Sequence, residues 1–193
     1  MKKLYRGLTS KDKIQIILNL AAFAVLITST GGKGSFWAFL SFTALSGINL
    51  IEVTLSKDSS SGKWVWITKT TTYAILTYLL INNRGDPKQI YFWMIAISAI
   101  ALIISKSLIR KRAIALSGAC FANLFGAGMY ALAVINNPES YGLIEIVFWL
   151  LNLASYVYWH WEVWYYRKDR VNYIITIYAT VVCLMHIILI AIT

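Results

Sequence analysis

Long apolar runs alternate with short polar clusters along almost the whole chain. Each run has about the 17 to 25 residues that a helix needs to cross the roughly 30 Å hydrocarbon core of a bilayer. Both prolines, Pro87 and Pro138, lie between the runs, as do pairs of Gly and Asn residues that favour turns. We therefore predict seven transmembrane helices, at residues 14–30, 36–55, 64–81, 89–105, 113–135, 141–161 and 171–192.

The basic residues between these helices are distributed unevenly. Fourteen Lys and Arg residues fall in the N-terminal tail and the loops on the same side of the membrane. The loops on the other side contain three, Lys33, Arg84 and Lys88. Because positively charged loops stay in the cytoplasm, the N-terminus is predicted to be cytoplasmic and, with seven spans, Thr193 is predicted to lie outside.

Composition agrees with a membrane protein. The 193 residues are 59% hydrophobic and 13% charged, against about 25% charged in soluble domains. The net charge of +10 lies in short clusters between apolar runs, which favours membrane topology over a nucleic-acid partner. Cys120 and Cys183 both lie within apolar runs, so neither a disulfide framework nor a zinc site is indicated. No signal-peptide pattern is found. We predict a single domain, residues 1–193, in the cell membrane.

The dipeptide Phe-Trp occurs at residues 36, 92 and 148, at intervals of 56 residues. This spacing is consistent with a repeated helical hairpin. It is equally consistent with three hairpins of similar length that each place a Trp at the outer interface, where Trp is enriched.

The sixth predicted span has a one-sided polar and aromatic stripe. Glu145, Trp149, Asn152, Tyr156 and Trp159 recur at steps of four and three, which places them on one face of a helix. An intramembrane carboxylate costs about 2.5 to 3.5 kcal/mol on insertion scales, so this face should line a bundle interior or an aqueous path. The alternative is structural: Glu145 snorkels to the interface, Asn152 bonds a neighbouring helix, and tryptophans form an interfacial belt.

Other polar residues lie within the predicted spans. One of them is Asn123 in the fifth span. Glu52 and Lys69 lie on consecutive helices near the cytoplasmic face, which favours a neutralising structural pair. We interpret His186 as a hydrogen-bonded packing residue, and the glycine cluster around Gly126 as a site of close helix approach.

The motifs of phosphate-binding loops, zinc proteases and serine hydrolases are absent, as is a group of His, Asp or Glu residues that could hold a catalytic metal. We therefore predict that the chain is not an enzyme and has no metal or other cofactor.

A family resemblance rests on the segment from residue 123 to residue 159. Asn123 is followed by YGLIE at 141–145, by Asn152, and by YVYW at 156–159. This order resembles the PnuC-type vitamin transporters, and residues 43–63 and 92–111 are more loosely similar. Unlike that family, the stretch 116–122 contains no Trp.

The resemblance implies a bundle of two three-helix units, related to the SWEET sugar carriers, that moves nicotinamide riboside or a similar vitamin by facilitated diffusion. The pyridinium ring of this solute is a permanent cation, which a carboxylate and aromatic faces could bind through charge compensation and cation–π contacts. Asn123 and Asn152 could bond its ribose hydroxyls or its carboxamide. The expected substrate-binding residues are thus Asn123, Glu145, Trp149, Asn152, Tyr156 and Trp159.

A different class of function fits the same sequence. A chain with little mass outside the bilayer could be a non-catalytic structural or accessory subunit of a membrane complex. The expected partners are the lipid bilayer and a small-molecule substrate, with a homo-oligomer as an option and no nucleic acid.

Overall fold

The computed structural model describes residues 10–30, 35–55, 63–83, 112–167 and 170–193, with four single positions between 93 and 100. All regular secondary structure in these residues is helical, which confirms the predicted all-α class. The long helices are α1 (Ser10–Thr30), α2 (Phe36–Leu55), α3 (Lys63–Leu79), α4 (Arg112–Asn136), α5 (Leu143–Trp161) and α6 (Arg170–Ile192).

These helices match six of the seven predicted spans closely. The bounds of α2 coincide with the prediction, and those of the other helices differ by four residues or fewer. The fourth predicted span, 89–105, lies outside the described residues except at Trp93, Ala96, Ile97 and Ile100, which are helical. Within the described residues, two helical segments are long and apolar enough to cross a membrane by length and composition, Leu143–Trp161 and Ile175–Ile192. Seven spans and their orientation stay predictions.

Local signals explain where two of the helices begin. Ser35 Oγ accepts a hydrogen bond from the Ala38 N–H at 3.3 Å, as an N-cap serine does at the start of a helix. At α5, Glu145 Oε2 accepts a hydrogen bond from the Gly142 N–H at 2.8 Å. A 3-10 turn at Pro138–Ser140 precedes α5, and a π-helical turn at Glu162–Arg167 follows it.

The main contacts between the described helices form a closed ring. Going around it, α1 packs against α3, α3 against α2, α2 against α4, α4 against α6, α6 against α5, and α5 against α1. Each helix therefore has two principal neighbours, and the ring encloses a common interior.

The ring consists of two halves with the same arrangement. One half consists of α1, α2 and α3, and the other of α4, α5 and α6. The contact α1–α3 corresponds to α4–α6, α2–α3 corresponds to α5–α6, and α2–α4 corresponds to α1–α5. In each half the third helix packs between the other two, and the two junctions between halves, α2–α4 and α1–α5, are equivalent. The described helices thus group in threes, and the Phe-Trp pairs at 36 and 148 fall on the equivalent helices α2 and α5.

Two clusters of buried hydrophobic residues lie toward opposite ends of the helices that form the ring. The larger cluster includes Leu26 and Leu80 near the ends of α1 and α3, Val134 near the end of α4, and Phe39 near the start of α2. A smaller cluster consists of residues from the opposite ends of their helices, Trp66, Cys120, Trp159 and Ile175. It follows that α3 and α4 run in the same direction. The end of α3 and the start of α4 therefore lie toward opposite ends of the helices that form the ring.

Candidate functional site

An aromatic cavity lies inside the ring, and five of the six helices line it. The centre of a water molecule can occupy about 60 Å³ of this space. Six aromatic side chains form much of the wall: Phe42, Trp66, Tyr73, Trp149, Tyr156 and Tyr178. The other lining residues are mostly small or aliphatic, among them Ala179, Val182 and both cysteines. Aromatic faces bind flat apolar rings well, but this volume is smaller than the roughly 150 Å³ of a cavity that takes up benzene, so a ring-bearing molecule requires the cavity to widen.

Three polar atoms of the cavity residues have no hydrogen-bond partner among the described residues. They are the amide oxygen of Asn123, the indole Nε1 of Trp149 and the hydroxyl of Tyr178, and all three atoms are buried. An unsatisfied buried polar group costs about 1 to 3 kcal/mol, so a bound polar molecule that satisfies these atoms would recover part of that free energy. Asn123 was a predicted binding residue, and its place in the cavity wall fits that role.

His186 packs against Trp149, one of the residues that form the cavity wall. Its ring is fully buried and stacks on the indole of Trp149, with ring centroids 4.2 Å apart and an interplanar angle of 8°. Its two ring nitrogens lie 2.8 Å from the Val182 carbonyl oxygen and 3.1 Å from that of Ala127. The prediction of a hydrogen-bonded packing histidine is confirmed. Because Ala127 is on α4 and Val182 on α6, the histidine joins three helices at Trp149.

Lys69 contacts two other residues of the cavity wall, Trp66 and Tyr156. Its side chain is only 2% exposed, and its Nζ is 3.5 Å from the centroid of the Tyr156 ring and 5.7 Å from that of Trp66. A desolvated cation–π contact contributes about 2 kcal/mol or more. Nζ has no hydrogen-bond acceptor among the described residues. The side chain of Glu52 lies outside the described residues, so its pairing with Lys69 stays a prediction.

The predicted stripe on α5 faces the interior, as expected. Four of its residues are buried and Tyr156 is partly buried. Trp149 and Tyr156 line the aromatic cavity, and Trp159 stacks on Tyr156 with ring centroids 6.5 Å apart. The structure therefore brings together Asn123, Trp149, Tyr156 and Trp159.

Glu145 and Asn152 lie elsewhere. The carboxylate of Glu145 accepts the Gly142 N–H bond at the start of α5, and the residue is not part of the aromatic cavity wall. The Asn152 Nδ2 donates to the carbonyl oxygen of Phe148, 3.0 Å away. Their part in substrate binding stays a prediction.

Asn152 lines a second, smaller cavity between α1, α3 and α5. About 10 Å³ of it is open to the centre of a water molecule, which is close to the minimum for one water. Its polar lining consists of Asn19, Lys69, Thr72 and Asn152, and Tyr73 lines both cavities. The two cavities are thus neighbours on either side of one wall.

Sequence reasoning missed several aromatic residues of the cavity. Trp66 and Tyr73 lie seven positions apart on α3, two helical turns on one face, and this spacing could have identified them. Phe42 and Tyr178 carried no comparable signal. In the described part of the chain, no group of three or more His, Cys, Asp or Glu side chains could hold a metal ion.

Comparison of the chain with protein-family models, with curated proteins and with solved structures gives no match. The fold and the cavity geometry therefore carry the functional argument.

Proposed function

We propose that this chain is a multi-pass membrane transporter that moves a small ring-bearing solute by facilitated diffusion. The observation that carries the proposal is the aromatic cavity, which helices from both three-helix halves line. Seven spans, a cytoplasmic N-terminus and a place in the cell membrane are part of the proposal.

The surface of the described helices supports a membrane location. Only 33% and 39% of the two long apolar segments are buried inside the protein, whereas a core helix of a soluble protein is mostly buried. Large apolar side chains are exposed on the outside of the ring, among them Ile17, Val157, Val181 and Ile188. Soluble proteins rarely expose apolar surface on this scale, and lipid tails would cover it.

The arrangement of the halves supports a transport mechanism. A cavity between two repeated units can open to either side of the membrane if one unit rocks against the other. The two junctions between halves, α2–α4 and α1–α5, would then separate alternately.

The family resemblance suggests nicotinamide riboside as the solute, and the cavity offers part of what this solute needs. Aromatic faces can sandwich a pyridine ring, and the unpartnered atoms of Asn123 and Tyr178 can bond hydroxyl or amide groups. None of the described residues in the cavity wall is a carboxylate. The ring and the hydroxyl groups of the solute are thus better matched than its charge.

Uptake by proteoliposomes tests the proposal. We expect saturable entry of radiolabelled nicotinamide riboside, reduced at least fivefold by Asn123→Leu, since the leucine removes a polar contact at nearly the same volume. Asn136→Leu at the exposed end of the same helix is the control and should transport normally.

Thiamine and riboflavin serve as alternative ring-bearing solutes in the same assay. If folded protein takes up none of the three, the transporter proposal fails and an accessory subunit becomes the better explanation. Copurification with a larger membrane complex would support that alternative.

A further inference from the structure

Lys69 is a buried lysine that the proposed binding contacts do not use. Its side chain is 2% exposed, and Nζ has no hydrogen-bond acceptor among the described residues. None of the described residues that line the two cavities carries a carboxylate. Intramembrane charges are retained where they serve a site, so the surroundings of this ammonium group are informative.

The ammonium group is close to the place where a ligand would lie. Nζ is 3.5 Å from the centroid of the Tyr156 ring, and that ring lines the aromatic cavity. A ligand ring in van der Waals contact with Tyr156 would lie about 3.5 to 4 Å from it. The two groups would therefore be about 7 Å apart, with protein and not water between them.

At this distance the sign of the ligand's charge matters. With an effective dielectric constant of about 20, two unit charges about 7 Å apart change a binding constant by more than tenfold. The aromatic face of Tyr156, which could otherwise attract a cationic ring, already has a cation against it. A cationic solute, nicotinamide riboside included, would therefore bind more weakly in the cavity than a neutral ring of the same shape, and an anion would bind more tightly.

We propose that Lys69 sets the charge preference of the aromatic cavity, so that anionic and neutral ring-bearing solutes bind more tightly than cationic ones. This inference rests on the proposed function, because it assumes that a ring-bearing solute occupies the cavity, and it takes the place of the predicted Glu52–Lys69 pair, which would cancel the charge. It makes Lys69 a residue that determines specificity through its charge.

Three pyridine ligands of similar shape test the inference. Nicotinate is an anion at pH 7, nicotinamide is neutral, and 1-methylnicotinamide is a cation, and calorimetry on the purified full chain gives the dissociation constant of each. We expect the anion to bind most tightly and the cation most weakly. In Lys69→Met, which keeps the length of the side chain without its charge, the affinity ratio of anion to cation should fall at least tenfold.

Two further variants serve as controls. Lys69→Arg keeps the charge and should keep the ratio within about threefold, and Lys13→Met removes an exposed lysine at the start of α1 and should leave it unchanged. An unchanged ratio in folded Lys69→Met would overturn the inference, as would wild-type protein that prefers the cation. If no ring-bearing solute binds or enters vesicles, the proposed function fails and the inference falls with it.

Discussion

The two junctions between the halves occupy equivalent places in the ring but are built from different side chains. At α2–α4, a Cβ atom on Gly126 would lie 2.7 Å from Ser41 Oγ and 3.2 Å from Phe42 Cε1, so the helices meet because a side chain is missing. At α1–α5, Asn19 Nδ2 donates to Ser155 Oγ across 3.4 Å, beside the small polar cavity. Helices in equivalent positions therefore meet through different side chains: a glycine allows close approach at one junction, and the other includes a side-chain hydrogen bond.

The largest effect is expected from a substitution that disrupts the close contact between α2 and α4. Gly126→Ala adds a methyl group where there is no space, and overpacking of this kind costs about 1 to 3 kcal/mol. We expect a lower midpoint of thermal unfolding in detergent, even though alanine favours helix more than glycine does. Gly47→Ala is the matched control, because its new Cβ would lie 3.8 Å from Thr70 Cγ2 in ordinary contact. Equal stability of the two variants would show that the α2–α4 approach is not as close as described.

A smaller effect is expected at the polar junction. A double-mutant cycle of Asn19→Ala and Ser155→Ala should give a coupling energy of about 0.6 kcal/mol, the average for hydrogen bonds between membrane helices. The contact between Thr43 and Thr77, whose hydroxyl oxygens are 3.1 Å apart within one half, provides a reference cycle. Equilibrium unfolding in a denaturing detergent measures both. A coupling of zero between Asn19 and Ser155 would remove the hydrogen bond from the description of this junction.

The smallest effect concerns the start of α5, the helix that forms the polar junction. Glu145→Gln keeps an acceptor oxygen for the Gly142 N–H and loses only the charge, so we expect a cost below about 0.5 kcal/mol, a fraction of the typical value of about 1 kcal/mol for a whole cap. Glu139→Gln, in the exposed turn before α5, is the control. Uptake of cationic and neutral solutes in the same ratio as wild type would limit Glu145 to capping. A selective loss of cation uptake would give its carboxylate the predicted role in binding.

The sequence predicted the helices well and the site in part, for physical reasons. Apolar runs and turn residues are local signals, so the bounds of α2 could be read directly. The face of α5 that includes Trp149 and Tyr156 was also predictable, since helical spacing alone places them together. The side-by-side position of α2 and α4 depends on contacts between residues far apart in the chain, such as Gly126 and Ser41.

Glu145 shows the limit of the periodicity argument. Helical spacing places it on the interior face, and it is buried there. Spacing could not show that its carboxylate bonds the backbone one turn earlier, because that depends on how the chain enters α5 from the turn at Pro138–Ser140. A residue on the right face of a helix is therefore not necessarily in the cavity that the face lines.

The chain's only two cysteines, Cys120 and Cys183, both line the aromatic cavity, and this permits a direct test without mutation. The measurement is their rate of modification by a small thiol reagent in membranes, followed by intact mass, with and without nicotinamide riboside or another solute that the protein takes up. Both thiols are buried, with Cys120 9% and Cys183 1% exposed, so we predict slow reactions that the solute slows further, with half-protection near the concentration that half-saturates uptake. Cysteines that react equally fast with and without saturating solute would contradict a transport path through this cavity.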